Sequence, residues 1–131
     1  MTFNLALQFQ RSAHRFPKHT AIAIGSTLYS YGDIAAVVQR CAETLFPHLA
    51  EARVGILGSR SVHACAGILA TAWAGGTYVP LSLKYPDDRL VELLEFLALD
   101  ALIVDDAGFK RLTPELRRVC PQTILAPSGD T

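Results

Sequence analysis

The sequence predicts a three-layer α/β domain, a mostly parallel sheet flanked by helices, with a small hairpin near the N-terminus. From Arg53 onward, short apolar strands alternate with helical patterns, the order that right-handed crossovers between parallel strands produce. The chain has 131 residues, of which 50% are hydrophobic, so it is expected to form one domain, 1–131, with a buried core.

The first helix is predicted from apolar residues at helical spacing between Phe3 and Phe16. It is expected to end at Pro17, because a proline disfavours helical backbone in the residue before it. The stretch 20–29 alternates like a strand on each side of Gly25-Ser26, and this pattern predicts a small hairpin.

The second helix begins with a capping box, in which Ser30 and Asp33 stand three residues apart. Aspartate replaces the glutamate that is usual at the second position. Apolar residues continue at helical spacing to Leu45, and Pro47 is expected to end the helix.

A buried strand is predicted over 53–57, followed by a turn in which Ser61 can cap the next helix. That helix, 62–74, is mostly small and apolar, so it is expected to be deeply packed. Gly75-Gly76 is expected to end it tightly against the sheet, and 77–81 is the next predicted strand.

The next helix opens at Pro86, and the acidic pair Asp87-Asp88 suits the positive end of its dipole. Its buried face is predicted to consist of leucines: Leu90, Leu93, Leu94 and Leu97.

A third buried strand is predicted over 101–104, with Asp105-Asp106 at its carboxyl end. A polar helix over 114–119 and a last strand over 122–125 follow. The tail from Pro127 has the composition of a loop.

Charge and cysteine content exclude several classes of function. Twelve basic residues balance twelve acidic ones, so nothing indicates a partner such as nucleic acid or a membrane surface. No apolar run could span a bilayer, and the N-terminus lacks the basic start of a secretory signal. Cys41, Cys65 and Cys120 are widely spaced, which predicts three reduced thiols and a cytoplasmic protein.

The polar residues beyond the buried strands leave two interpretations open. Ligands often bind beyond strand ends in open α/β sheets, so Asp105-Asp106 could serve a metal or catalysis, although helix capping is favoured. Ser59, Ser61 and His63 lack the G-x-S-x-G elbow of hydrolases, and Ser61 is better explained as a cap. Neither G-x-G-x-x-G nor a P-loop occurs in the sequence.

Two stretches carry a family resemblance. Residues 28–34 (LYSYGDI) resemble an early L-T-Y-x-E-L signature, and 73–81 (WAGGTYVPL) with 85–90 (YPDDRL) resemble L-K-A-G-x-A-Y-V-P-x-D and its trailing Y-P-x-x-R-L. These are signatures of the adenylate-forming superfamily, in the amino-acid-activating branch of nonribosomal peptide synthesis. Trp73 replaces the family's lysine, and Ser82-Leu83 replaces its aspartate-proline.

The resemblance implies a complete enzyme that uses ATP and magnesium to form an aminoacyl-adenylate and then passes the amino acid to a carrier-protein thiol. In that family the phosphate loop ends in Pro-Lys-Gly, and later Tyr-Gly-x-Thr-Glu and Thr-Gly-Asp signatures bind adenine and ribose. None of these occurs in the 131 residues, and the final stretch 128–131 (SGDT) has no lysine. We therefore expect an N-terminal subdomain with no catalytic, cofactor-binding or metal-binding residue of its own.

The resemblance implies that this chain shapes one wall of a larger domain. Pro80 is expected to end the ladder of its strand because it has no N–H, and Tyr78 can bury its ring while its hydroxyl finds a polar partner. The expected partner is the remainder of an adenylation domain. The alternative is a freestanding, non-enzymatic assembly module. In either case the zero net charge and an uncovered side of the 62–74 helix would favour a homo-oligomer, with Trp73 as its anchor.

Overall fold

The computed structural model describes residues 5–24, 26–45, 52–59 and 61–126. The expected helix start at Phe3, the glycine of the hairpin turn, the helix end at Pro47 and the loop-like tail lie outside these residues. In chain order the elements are α1 (Leu5–Arg15), β1 (Thr20–Ile24), β2 (Thr27–Ser30), α2 (Tyr31–Leu45), β3 (Arg53–Leu57), α3 (Val62–Trp73), β4 (Thr77–Leu81), α4 (Asp87–Leu97), β5 (Ala101–Val104), α5 (Asp106–Lys110), α6 (Pro114–Val119) and β6 (Thr123–Leu125).

The main sheet has four described strands in the order β4-β3-β5-β6, and every pair is parallel. The N-terminal strands β1 and β2 form a separate antiparallel hairpin. The chain passes from β3 to one neighbour, β4, and then crosses to the other neighbour, β5. The direction of winding therefore changes at the carboxyl ends of β3 and β5, which makes this point the topological switch of the sheet.

Helices cover both faces of the sheet and divide the core in two. One face presents Val54, Ile56 and Ile103 to α3, with α1 and α2 packed behind it. The other face presents Leu57 and Leu102 to leucines of α4 and α6. Each fully buried leucine or isoleucine contributes roughly 1.5–3 kcal/mol relative to an exposed one. The predicted three-layer α/β class with its N-terminal hairpin is confirmed.

The capping box at the start of α2 forms as predicted. The Ser30 amide donates to Oδ2 of Asp33 at 3.0 Å, and the Asp33 amide donates to Oγ of Ser30 at 3.1 Å. Aspartate is therefore long enough to close the box in place of glutamate.

The glycine pair after α3 ends the helix tightly, also as predicted. Gly75 has φ +83°, a conformation that costs little only for glycine. A Cβ on Gly76 would lie 2.8 Å from the carbonyl oxygen of Ala52, so the helix end packs directly against the strand that precedes it.

The expectation that Pro80 ends the ladder of its strand was wrong. The β3–β4 ladder continues past Pro80 to Leu81, which β4 can accommodate because it is an edge strand. The ring of Tyr78 is 39% exposed, because the open edge of the described sheet leaves it uncovered. The outer side of α3 is covered by α1 and α2.

The helix α5 was not predicted. It has only five residues, too few to show a helical period, and Gly108 within it has low helix propensity. Among the described helices, none is long and apolar enough to cross a membrane.

We expect Gly108→Ala to destabilise the protein by about 3 kcal/mol or more, because the added Cβ would collide with the carbonyl oxygen of Leu57, which belongs to the rigid backbone of β3. Gly75→Ala is the matched control. Its Cβ would meet nothing within 4 Å, so only the positive φ opposes it, at about 1 kcal/mol. Urea unfolding measures both changes, and equal losses in the two variants would contradict the packing of α5 against β3.

Candidate functional site

The topological switch of the sheet is the first place to look for a site, because ligands of open α/β sheets commonly bind there. Leu57 lies beside Val104 in the β3–β5 register. The loop that follows β3 and the residue that follows β5, Asp105, therefore meet at this point. The interpretation that the sequence favoured for Asp105, helix capping, is confirmed: its side chain caps α5.

The carboxylate of Asp105 accepts four hydrogen bonds. Oδ2 accepts from the Ser59 amide at 2.8 Å, from the Ser59 hydroxyl at 2.9 Å and from the Ser61 hydroxyl at 2.7 Å. Oδ1 accepts from the Gly108 amide at 2.8 Å. The residue is only 3% exposed, so these protein donors replace water around the charge.

The same carboxylate joins the starts of two helices. Ser61 caps α3, since its Oγ accepts from the Ala64 amide at 3.1 Å while its hydroxyl hydrogen goes to Asp105. Asp105 itself caps α5 through the Gly108 amide. The positive ends of the α3 and α5 helix dipoles thus lie near one negative charge. This arrangement stabilises both helices and the carboxylate. We call this set, Ser59, Ser61, Asp105 and Gly108, the Asp105 clamp.

The electrostatics of the clamp favour the charged form of Asp105. Burial alone would raise the pKa of this carboxyl, but the hydrogen bonds from Gly108, Ser61 and Ser59 outweigh burial and lower the pKa below its ordinary value. A depressed pKa means that the folded state prefers the carboxylate. The clamp therefore stabilises the fold above the ordinary aspartate pKa and weakens as the pH falls through the lowered one.

The clamp packs tightly against the loop after β3. A Cβ on Gly58 would lie 2.9 Å from the Asp105 carboxyl carbon, so backbone and carboxylate already touch. Among the residues that the structure describes, no group of three or more histidine, cysteine, aspartate or glutamate side chains could hold a metal ion.

The nucleophile candidates are held in structural roles. The hydroxyls of Ser59 and Ser61 both donate to Asp105, rather than to His63. Burial raises the pKa of the Cys41 thiol to about 11, which makes it a poor nucleophile at neutral pH. Burial also raises the pKa of Cys65 and of Cys120, and the three cysteines are unpaired in the structure.

Sequence reasoning missed the clamp as a unit, although it identified Ser61 as a cap and Asp105 as a strand-end acid. The signal available was topological: two parallel strands that are neighbours in the sheet must bring the residues after them together. That inference needed the strand order, which the sequence pattern did not supply. The second acid of the predicted pair, Asp106, begins α5 at the surface.

Arg111 forms a second polar cluster that the sequence did not indicate. Its guanidinium donates to the carbonyl oxygens of Leu83 and Tyr85, the latter at 2.6 Å, and to Oδ1 of Asp87 at 3.0 Å. Arg111 thereby fixes the loop between β4 and α4, where Ser82-Leu83 departs from the adenylate-forming pattern.

A groove of about 1020 Å³ lies between α1 and α2. Trp73, at the end of α3, forms part of its wall and is 38% exposed. The tryptophan that the sequence placed in a core or an interface is thus half-buried, at the edge of an open apolar surface.

We expect Asp105→Asn to destabilise the protein by about 3 kcal/mol at neutral pH, the loss typical of a buried charge-assisted network. An amide nitrogen at the Oδ2 position would face the Ser59 N–H, a donor that cannot turn away. Glu115→Gln, at an exposed carboxylate in the first turn of α6, is the matched control and should cost less than about 1 kcal/mol. Chemical unfolding measures both, and similar losses would show that the clamp has no special role.

Most of the chain matches the model of one protein family. Residues 9–130 match the model of the AMP-binding enzyme family. Tyrocidine synthase 2 from Brevibacillus parabrevis is 34% identical over 93 residues, which cover 70% of this chain and 3% of that protein. The chain therefore spans a small fraction of the length of the curated relatives that it matches.

Solved structures agree on the fold. IdnL7 superposes with a TM-score of 0.84 at 33% identity, covering 98% of this chain and 26% of that one. The nonribosomal peptide synthetase FmoA3 superposes with a TM-score of 0.84, covering 98% of this chain and 14% of that one, and at 22% identity it supports the fold alone. The resemblance to the N-terminal subdomain of a nonribosomal-peptide adenylation domain is thereby confirmed, and the chain belongs to the AMP-binding enzyme family.

Proposed function

We propose that this chain acts as the N-terminal subdomain of an amino-acid-activating enzyme of nonribosomal peptide synthesis, and that it supports the active site without contributing a catalytic residue. One observation carries the second half of this proposal. At the switch of the sheet, where a nucleotide would be expected, the Asp105 clamp uses both carboxylate oxygens to join two loops of the chain itself.

In the complete enzyme, ATP and magnesium would be bound by the remainder of the adenylation domain, which is the partner that we propose for this chain. An aminoacyl-adenylate would form there, and the amino acid would pass to a carrier protein. Two features support this division of roles: the 131 residues contain no Pro-Lys-Gly loop, and the described residues offer no metal cluster.

This chain would contribute one rigid wall of the complete adenylation domain. The clamp fixes the loops after β3 and β5, and Arg111 fixes the loop after β4, so all three loops at one edge of the sheet are held by charged side chains. Tyr85, in the loop after β4, remains exposed near this edge. Three unpaired thiols are consistent with the cytosol, which we propose as the compartment.

A freestanding assembly module remains the second candidate, and one observation favours it. Phe96 on α4 is 84% exposed, which is unusual for so large an apolar side chain unless a partner covers it. Self-association is therefore also a proposal for this chain.

The experiment for the adenylation proposal compares the chain alone with a hybrid enzyme. Calorimetric titration of the chain with ATP and magnesium should give no saturable heat, since no described group fits the nucleotide. In the hybrid, residues 5–126 of this chain replace the matching segment of an adenylation domain from tyrocidine synthase 2. The hybrid should keep amino-acid-dependent exchange of pyrophosphate into ATP, because it regains a wall of the same fold.

Two further hybrids test the supporting role. Asp105→Asn in the hybrid should lower the exchange rate roughly tenfold or more, because loosened loops misplace neighbouring groups. Glu115→Gln should leave it near the value of the unmodified hybrid. A saturable nucleotide site in the chain alone would overturn the proposal, as would a folded hybrid without exchange.

A further inference from the structure

The exposed phenylalanine of α4 stands in an acidic surface. Asp88, Glu92 and Glu95 are exposed beside Phe96 on the outer side of this helix, and Arg89, the one basic side chain among them, pairs with Glu92 at 3.5 Å. Three carboxylates against one guanidinium leave a formal charge of −2. We call these five residues the α4 ridge: an apolar tip with an acidic surround.

The groove between α1 and α2 has the opposite character. Its floor is apolar and includes Phe9, Val38 and Trp73. Its rim on the α1 side carries Arg11 and Arg15, together with His14, and α1 (LALQFQRSAHR) contains no acidic residue. Glu43 on α2 is the one carboxylate that lines the groove. We call this surface the α1–α2 groove: an apolar floor with a mainly basic rim.

The α4 ridge and the α1–α2 groove complement each other in shape and in charge. An aromatic side chain on a helix is the type of anchor that an apolar groove receives, and acidic neighbours can pair with a basic rim. The surfaces cannot meet within one molecule, because α4 packs on one face of the sheet and the α1–α2 pair lies beyond α3 on the other. The occupant that fits the groove must therefore come from another molecule.

We propose that the α4 ridge of one copy of this chain docks into the α1–α2 groove of a second copy, with Phe96 against Trp73. Aromatic pairs of this kind are frequent interface anchors. The proposal goes beyond the adenylation function and does not depend on it. Because the ridge and the groove lie on opposite faces of the sheet, two copies cannot make both contacts with each other at once, so the contact is head-to-tail. Such contacts produce rings or open chains rather than a two-fold dimer, and they leave one ridge and one groove free at the ends of every open chain.

Sedimentation velocity of the full chain at micromolar concentrations is the first test. The chain should form species larger than a monomer that grow with concentration and shrink in added salt, since salt screens the rim charges. Phe96→Asp should give a monomer. Leu28→Asp is the matched control: it places the same charge at an apolar residue that is 65% exposed and lies in neither surface, so it should not change the association. A monomeric wild-type chain overturns the proposal.

Mixing two non-associating variants tests the head-to-tail geometry. Phe96→Asp removes the ridge, and the double variant Arg11→Glu, Arg15→Glu reverses the groove rim at exposed positions that should not disturb folding. Each variant alone should be monomeric. Together they should form a one-to-one dimer, because one supplies an intact groove and the other an intact ridge. A mixture that stays monomeric would contradict the docking, as would dissociation caused by Leu28→Asp.

Discussion

The carboxylate of Asp105 is the interaction on which the carboxyl edge of the sheet depends. Burying a charge is costly unless hydrogen bonds replace the lost water, and here two hydroxyls and two amides do so. The donors come from the loop after β3 and from α5, so one side chain fixes the chain on both sides of the switch point. Gly58 is required for the same reason, since any side chain there would displace the carboxylate.

This constraint links the fold to its function. Ligands of open α/β sheets commonly bind at the switch point, and in this chain the Asp105 carboxylate lies there and joins two segments of the chain itself. Arg111 holds the loop after β4 in a similar way. The family's aspartate-proline is Ser82-Leu83 in that loop, and the guanidinium holds the changed segment through backbone carbonyl groups, which do not depend on the side chains present.

Local patterns in the sequence were sufficient to predict most helices and strands. They were insufficient to predict which of these elements contact one another. The capping box of Ser30 and Asp33, the glycine end of α3 and the buried strands all follow from short-range chemistry, and all were predicted. The exposure of Tyr78 and the continued pairing at Pro80 depend on β4 being an edge strand, which is a tertiary fact. The clamp also escaped prediction, because Ser59 and Asp105 are 46 residues apart and meet only through strand order.

The most direct measurement is the pKa of Asp105 in the folded chain, from an NMR pH titration of its carboxyl carbon. If four hydrogen bonds hold a buried carboxylate at the switch, Asp105 should titrate below the ordinary aspartate value of about 3.9, and its signal should not respond to ATP and magnesium. A pKa at or above that value, or a change in the Asp105 signal on adding the nucleotide, would contradict this account. It would show that the switch point is open and that this chain does more than support the active site.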